Sequence, residues 1–275
     1  MRRKNIKPIA ALLAAIMLSG CGNNGMTKEF AKQKEAAESK SGIIYKTTYF
    51  VTTEGDEGFP YPETNSAGKV RFVCNTENGK EALTDYEFDD AHGSYCLVEN
   101  IFIAPAMTDG KWGYVLLEVP MESEDGEGIE KPAEIGEIVW EIEPKYENAE
   151  AFTEQIAAVK IDGKYGAINE NGELVLPAIY DSMKYRSFGV IPVSLNGEWY
   201  FLGANGNSLF GPFEDAESYE FGFAAVKRDG KWGYIDKNGK DATAFVYDEV
   251  YAVEAEGTAW VRTGEKWEHV QVRNY

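Results

Sequence analysis

The stretch Gly230-Lys231-Trp232-Gly233-Tyr234-Ile235-Asp236-Lys237-Asn238-Gly239-Lys240 carries the pattern that decides the fold. Asp229-Gly230 and Asn238-Gly239 are turn signals, because Asp, Asn and Gly accept the positive φ angles that a type I′ hairpin needs at both central positions. The two glycines are nine residues apart, and the residues between them are aromatic and β-branched, so the spacing predicts strands of about five to seven residues. Upstream, Phe223-Ala224-Ala225-Val226-Lys227 reads as the preceding strand of an antiparallel meander.

Working outward, the same signature recurs at Asp109-Gly110-Lys111-Trp112-Gly113-Tyr114, Asp162-Gly163-Lys164-Tyr165-Gly166-Ala167 and Asn196-Gly197-Glu198-Trp199-Tyr200-Phe201. A worn copy follows at Thr263-Gly264-Glu265-Lys266-Trp267, and a degraded leading copy begins at Gly68-Lys69 and continues to Asn78-Gly79. Gly163, Gly197, Gly230 and Gly264 fall 34, 33 and 34 residues apart, while the step from Gly110 to Gly163 is 53 because an acidic insert intervenes. Recurrence at this period is the mark of a repeat architecture in which each unit buries its apolar face against the next. In an extended strand Trp232 and Tyr234 face one way and Gly233 the other. The rings are expected to pack beneath the neighbouring repeat, with ligand stacking as the alternative, and the bare glycine face lets another chain segment approach closely.

The pattern resembles the WG-repeat family, named for its Trp-Gly pair, over roughly residues 105–270. Its motif positions here are Trp112, Gly113, Tyr165, Gly166, Trp199, Trp232, Gly233 and Trp267; Tyr165 stands in place of Trp, and Tyr200 and Glu268 in place of Gly. The resemblance implies an all-β protein of antiparallel meanders, common in bacterial envelopes, with no general enzymatic activity. Meanders of three short strands suit blades arranged radially, as a propeller or an open arc, or an elongated stack of hairpins.

The N-terminus carries an address. Arg2, Arg3, Lys4 and Lys7 precede an apolar run from Ile9 to Leu18, too short for a membrane-spanning helix, which needs about 20 residues. It ends in Leu18-Ser19-Gly20-Cys21, which resembles the lipobox of bacterial lipoproteins. That resemblance implies cleavage before Cys21, acylation of its sulfur, and an extracytoplasmic protein held at the bacterial cell membrane, at the surface or in the periplasm, through the lipid alone. The sequence thus divides into a signal peptide (1–20), a lipidated cysteine and polar tether with one short helix-prone run (21–44), an irregular β-rich cap or degenerate repeat (45–107) and the repeat array (108–275).

Composition narrows the function. With 46 acidic and 27 basic residues the net charge is -19, which disfavours binding to nucleic acid or to anionic lipid headgroups. Two histidines and three cysteines leave little material for zinc sites or hydrolytic triads, so neither a metal nor a cofactor is expected. Cys74 and Cys96 either form a disulfide, as an oxidising compartment allows, or stand as buried thiols. Glu122, Glu124, Asp125, Glu127 and Glu130 do not follow the EF-hand spacing and read as a solvated insertion. Trp140, Tyr180, Tyr185, Tyr219, Tyr247 and Trp260 lie outside the motif cores and either pack in sheets or form a binding face. The expectation is a non-catalytic binding module for a protein or an envelope glycan. A cell-wall polysaccharide or peptidoglycan hydrolase using paired carboxylates and a purely structural surface spacer are the alternatives.

Overall fold

The computed structural model describes residues 58–76, 79–98, 100–119, 121–122, 129–130, 138–203 and 205–272. The chain divides at Thr48 into two units, and the described residues all belong to the second, Tyr49–Tyr275. The signal segment, Cys21, the tether and most of the acidic insert lie outside the described residues.

Every regular element described is a strand. Sheet 1 holds β1 (Tyr61–Thr64), β2 (Val70–Thr76) and β3 (Gly79–Ala82). Sheet 2 is built on the hairpin β6 (Ile101–Thr108) and β7 (Lys111–Glu118), with β4 (Asp90–Ala91) and β5 (Tyr95–Val98) on β6 and β10 (Val139–Tyr146) on β7. This hairpin straddles the 107/108 boundary drawn from the sequence. Between β7 and β10 the insert contributes a two-residue ladder, β8 (Met121–Glu122) on β9 (Ile129–Glu130). Sheet 3 runs in order through β11 (Asn148–Ala149), β12 (Ile156–Ile161), β13 (Lys164–Asn169) and β14 (Leu174–Tyr180). Sheet 4 repeats it with β15 (Ser182–Met183), β16 (Ile191–Leu195), β17 (Glu198–Leu202) and β18 (Ser208–Phe213). Sheet 5 has β19 (Asp215–Ala216), β20 (Phe223–Arg228) and β21 (Lys231–Asp236), and sheet 6 has β22 (Glu249–Val250), β23 (Thr258–Thr263) and β24 (Lys266–Gln271).

The repeat therefore has four strands rather than the expected three. The extra member is a two-residue strand that opens sheets 2 to 6, too short to leave a periodic signal. It follows the last strand of the preceding sheet after a single residue, as in Tyr180-Asp181-Ser182. In sheet 5 the fourth strand is reduced to the bridges Ile235↔Asp241 and Trp232↔Tyr247. Sheet 1 reproduces that reduced form bond for bond. Phe72 N donates to a side chain, Thr84 Oγ1 at 2.9 Å, as Tyr234 N does to Thr243 Oγ1 at 3.0 Å, and Val70 pairs with Phe88 as Trp232 does with Tyr247. The leading copy at Gly68-Lys69 is thus a true repeat in which Val70 and Arg71 replace Trp and Gly.

No sheet has a core of its own. Each apolar cluster joins one sheet to the next: Trp112, Tyr114 and Ile142 of sheet 2 meet Phe152, Ala157 and Val159 of sheet 3, and Trp232 and Tyr234 of sheet 5 meet Val250, Ala259 and Val261 of sheet 6. Clusters of the same kind join sheets 1 and 2, 3 and 4, and 4 and 5. Trp232 is only 2% exposed and Trp112 is buried, whereas Tyr165, Trp199 and Trp267 are half-buried; the first four pack between sheets, while Trp267 lies against Tyr251 of its own sheet's loop. Tyr114 and Tyr234 add a polar tie, donating to the carbonyls of Glu150 at 2.8 Å and Tyr251 at 2.6 Å across the seam.

The motif glycine is required by the fourth strand. A Cβ on Gly166 would stand 2.9 Å from backbone atoms of Leu176 and Ala178, and one on Gly113 2.5 Å from the Ile142 carbonyl. Sheet 4 has Tyr200 at this position, and there the glycine has moved to the opposing strand: Gly211, with φ 120°, faces Tyr200 and the Trp199 carbonyl. Sheet 6 has Glu268, and no fourth strand is paired with β24 among the described residues.

One open alternative is decided and one sequence expectation needs correcting. Of the two readings of Cys74 and Cys96 the structure has the thiols: Cys74 is buried in the apolar cluster between sheets 1 and 2 and Cys96 packs against it, both as small hydrophobic groups. Burial pushes the Cys74 thiol up to about 11. The Asn-Gly turns are not type I′, because only the glycine has positive φ (Gly172, Gly206, Gly239). In two of these turns the side chain opening the turn, Asn169 or Asp236, accepts two backbone N–H groups and closes a three-residue loop.

Candidate functional site

Antiparallel strands place the turns at two ends of the sheets. One end carries the Asp-Gly hairpins and the connectors between sheets; the other carries the loops after each opening strand and the Asn-Gly turns.

At the connector end the Asp-Gly pairs take φ near 50° and 75°, the type I′ form. An acidic connector residue caps each turn: Asp89 accepts from Asp109 N at 3.0 Å, Glu147 from Gly163 N at 3.1 Å, Glu214 from Gly230 N at 2.9 Å and Asp248 from Gly264 N at 2.6 Å. Where that residue is Asp it also holds a lysine, in Lys69–Asp89, Lys164–Asp181 and Lys231–Asp248, each at 2.5 Å. In each case the lysine belongs to the preceding sheet, opening the strand after its turn at Lys164 and Lys231 and standing one residue before that strand at Lys69. The lysines hold the Asp89, Asp181 and Asp248 carboxyls below their ordinary range, with help from the turn amides. In sheet 6, Gly264 occupies the first central turn position rather than the second, since Thr263 pairs with Lys266. It is therefore not the counterpart of Gly230, which is Glu265.

The loop end differs. Its turns are again two residues long with positive φ, at Glu154-Gln155, Phe188-Gly189 and Phe221-Gly222. Phe188 (φ 53°) is 56% exposed and Phe221 (φ 49°) 47% exposed. A bulky residue in the left-handed region costs roughly 1–2 kcal/mol, and a residue left half exposed recovers only part of what full burial would return, Phe188 through its contact with Tyr219 at 6.5 Å between ring centroids. The Phe188 turn is tied to sheet 3: Gly189 N donates to Glu154 Oε2 at 2.8 Å, and Arg186 Nη1 donates to the Glu154 carbonyl at 2.9 Å. Between the two sheets lies a groove of about 380 Å³ lined by Gln155, Ile156, Glu170, Val175, Arg186 and Ile191 among others. Burial alone raises the Glu170 carboxyl.

Deeper in the next seam, Lys184 pairs with Glu217 at 2.5 Å beneath the Trp199 ring, and Tyr185 donates to Glu220. Burial raises both carboxyls; for Glu217 it outweighs the lysine. Ser187 and Ser218 cross the same seam to the carbonyls of Tyr219 and Tyr185.

Apart from Trp267, the motif residues singled out in the sequence are brought together as packing between sheets. Of the aromatic residues outside the motif, Tyr180 and Tyr219 are buried. Tyr219 donates to the Asp236 carbonyl at 3.0 Å. Trp260 stacks on His269 at 4.9 Å between ring centroids. Phe188, Phe221 and the groove escaped the sequence reading. The available signal was Phe-Gly repeated at 188–189 and 221–222, a spacing of 33.

Residues 139–165, 165–199, 213–232 and 232–267 match the WG containing repeat family. The array is a WG-repeat array. No curated protein matches the sequence. Among solved structures, the WG array and its flanks are similar to Kluyveromyces lactis Hsv2, with 9% identity over 78% of this chain and 73% of that one and a TM-score of 0.43. A eukaryotic initiation factor is similar at 12% identity over 79% and 62%, with a TM-score of 0.46.

Proposed function

We propose that this protein is a lipid-anchored, extracytoplasmic binding module without catalytic activity, and that the loop end of its WG array is the binding face. Phe188 and Phe221 carry the proposal. Each is held at positive φ and left about half exposed, at the same place in consecutive sheets. The packing they make, such as Phe188 against Tyr219, leaves much of each residue uncovered, and a partner that covers the rings accounts for both the strain and the exposure. The anchor rests on the lipobox at Leu18–Cys21.

A protein partner is favoured over a glycan or a spacer role: the half-exposed rings stand at turn tips, and the groove beside the Phe188 turn mixes apolar wall with one carboxylate and one guanidinium. A hydrolase is less well supported. The raised carboxylates Glu217 and Glu220 are each engaged, by Lys184 and Tyr185, and the groove is lined by the single carboxylate Glu170, where glycoside hydrolysis calls for two.

The test is capture from a cell-envelope extract by the intact chain and by the Phe188→Asn/Phe221→Asn double variant. Asn is at home in the left-handed region, so the variant keeps the turns. A saturable partner held by the native chain and lost by the variant is the expected result; equal capture by both sinks the assignment of this face. Palmitate labelling that disappears in Cys21→Ala tests the anchor.

A further inference from the structure

The groove between sheets 3 and 4 has features that packing alone leaves over. Its floor and walls are apolar: Leu176 and Ile191 are buried, Ile156 is partly buried, and Val175 is left 44% exposed. Its polar groups differ in how far they are already committed. Asn169 is spent within its turn, accepting from the Asn171 and Glu173 amides and donating to the Glu173 carboxylate. Arg186 is met by Glu154, its Nη1 donating to the carbonyl at 2.9 Å and its buried Nε lying 3.4 Å from Oε2 without a hydrogen bond, so its charge is paired inside the seam although that one donor is left over. Glu170 is different: among the described residues no cation and no hydrogen-bond donor engages its carboxylate, although the group is partly buried.

We propose that this groove receives a lysine side chain of a protein partner, with the methylene stem laid on Ile156, Val175 and Ile191 and the ammonium on the Glu170 carboxylate. The inference rests on the reading of the chain as a protein-binding module. Charge favours it: 46 acidic against 27 basic residues draw a cationic partner in, and Glu170 is the point at which that attraction becomes local. Either cation can pair with the Glu170 carboxylate, a guanidinium bidentately; lysine is taken because three donors on one compact head can also reach the side-chain oxygens of Gln155 and Asn171. The long stem covers apolar wall while the head stays polar, the usual behaviour of a lysine at a protein surface. A sugar is disfavoured because no aromatic ring lines the groove.

The experiment follows backbone amide signals of the intact chain by NMR during titration with Nα-acetyl-lysine amide, and separately with the norleucine and arginine analogues. The expected result is saturable shifts confined to Gln155, Glu170 to Gly172 and Gly189, with affinity near the millimolar range, at least about tenfold weaker for norleucine and for Glu170→Gln. Arginine amide is expected to bind more weakly than lysine amide. Equal shifts from norleucine, unchanged binding in Glu170→Gln, or shifts scattered over the acidic surface would each overturn the proposal. If the lysine probe fails while the partner captured through Phe188 and Phe221 is still held, the groove assignment falls and the binding module stands. If that capture fails as well, both fall.

Discussion

The two ends of the sheets are built from the same two-residue turn and use it in opposite ways. At the connector end the φ > 0 positions are filled by Asp, Asn and Gly, residues at ease there, and the turn amides are met by carboxylates. At the loop end the same positions carry Glu154, Phe188 and Phe221. The connector end satisfies local preference, packing and electrostatics at once; the loop end violates local preference in successive repeats for only partial burial in return. A repeat that is locally consistent at one end and costly at the other separates the part that specifies the fold from the part that is free to serve a partner.

The largest expected effect tests the frame both ends share. Gly166→Val forces a side chain into strand β14 at 2.9 Å from backbone, which cannot yield as a side chain would. A loss of about 3 kcal/mol or more, read as a lower urea midpoint, is expected. Val at position 268 of sheet 6, where no described strand crosses, should cost far less. Equal losses at the two sites would break the account of the glycine.

Next comes the pH response, where the ends are expected to differ in sign. Asp89, Asp181 and Asp248 have folded values below 3.8, so their contribution is fully present above 3.8 and is lost as pH falls through the folded values. Glu63 in sheet 1, held at about 2 by Lys80, Arg71 and Tyr86, acts in the same direction. Glu170, Glu217 and Glu220 lie above 4.5, so ionising them opposes folding and acidification through their folded values relieves that cost. Carboxyl titrations by NMR should therefore fall in two groups on either side of the ordinary range. The Asp89/Asp181/Asp248→Asn variant should lose less stability on acidification than the native chain. A single merged titration range would remove the electrostatic half of the comparison.

Phe188→Asn is the smallest expected change in stability and the sharpest in meaning. Relief of the left-handed phenylalanine should raise stability by about 1 kcal/mol while partner capture falls. A variant that is both less stable and still binding would show that the ring serves the fold.

Much of the connector end was legible in the sequence, because Asp-Gly and Lys-Trp-Gly-Tyr are short-range signals whose chemistry is fixed by the turn and by ring burial. The worn copy at Gly68-Lys69 could also be read, although only the Thr84 and Phe88 bonds show that it keeps the repeat's register. The opening strands escaped because two residues carry no period. Gly264 looked like a motif glycine at the right spacing, but register, which turn length sets, moves it by one position. The loop end was hidden for a different reason. Phe188 reads as a core residue until its φ and exposure are known, and the groove joins residues from sheets that no local pattern connects.

Because each apolar cluster is shared by consecutive sheets, the array has a preferred order of assembly. A chain emerging N-terminus first, from a ribosome or a translocation pore, completes one seam each time another 33 or so residues appear, and it never has to wait for a distant partner. At any moment only the newest sheet shows its apolar face. Such a protein can be lengthened or shortened by whole repeats during evolution, since removing one sheet brings together two faces that were already made to meet a neighbour of the same kind.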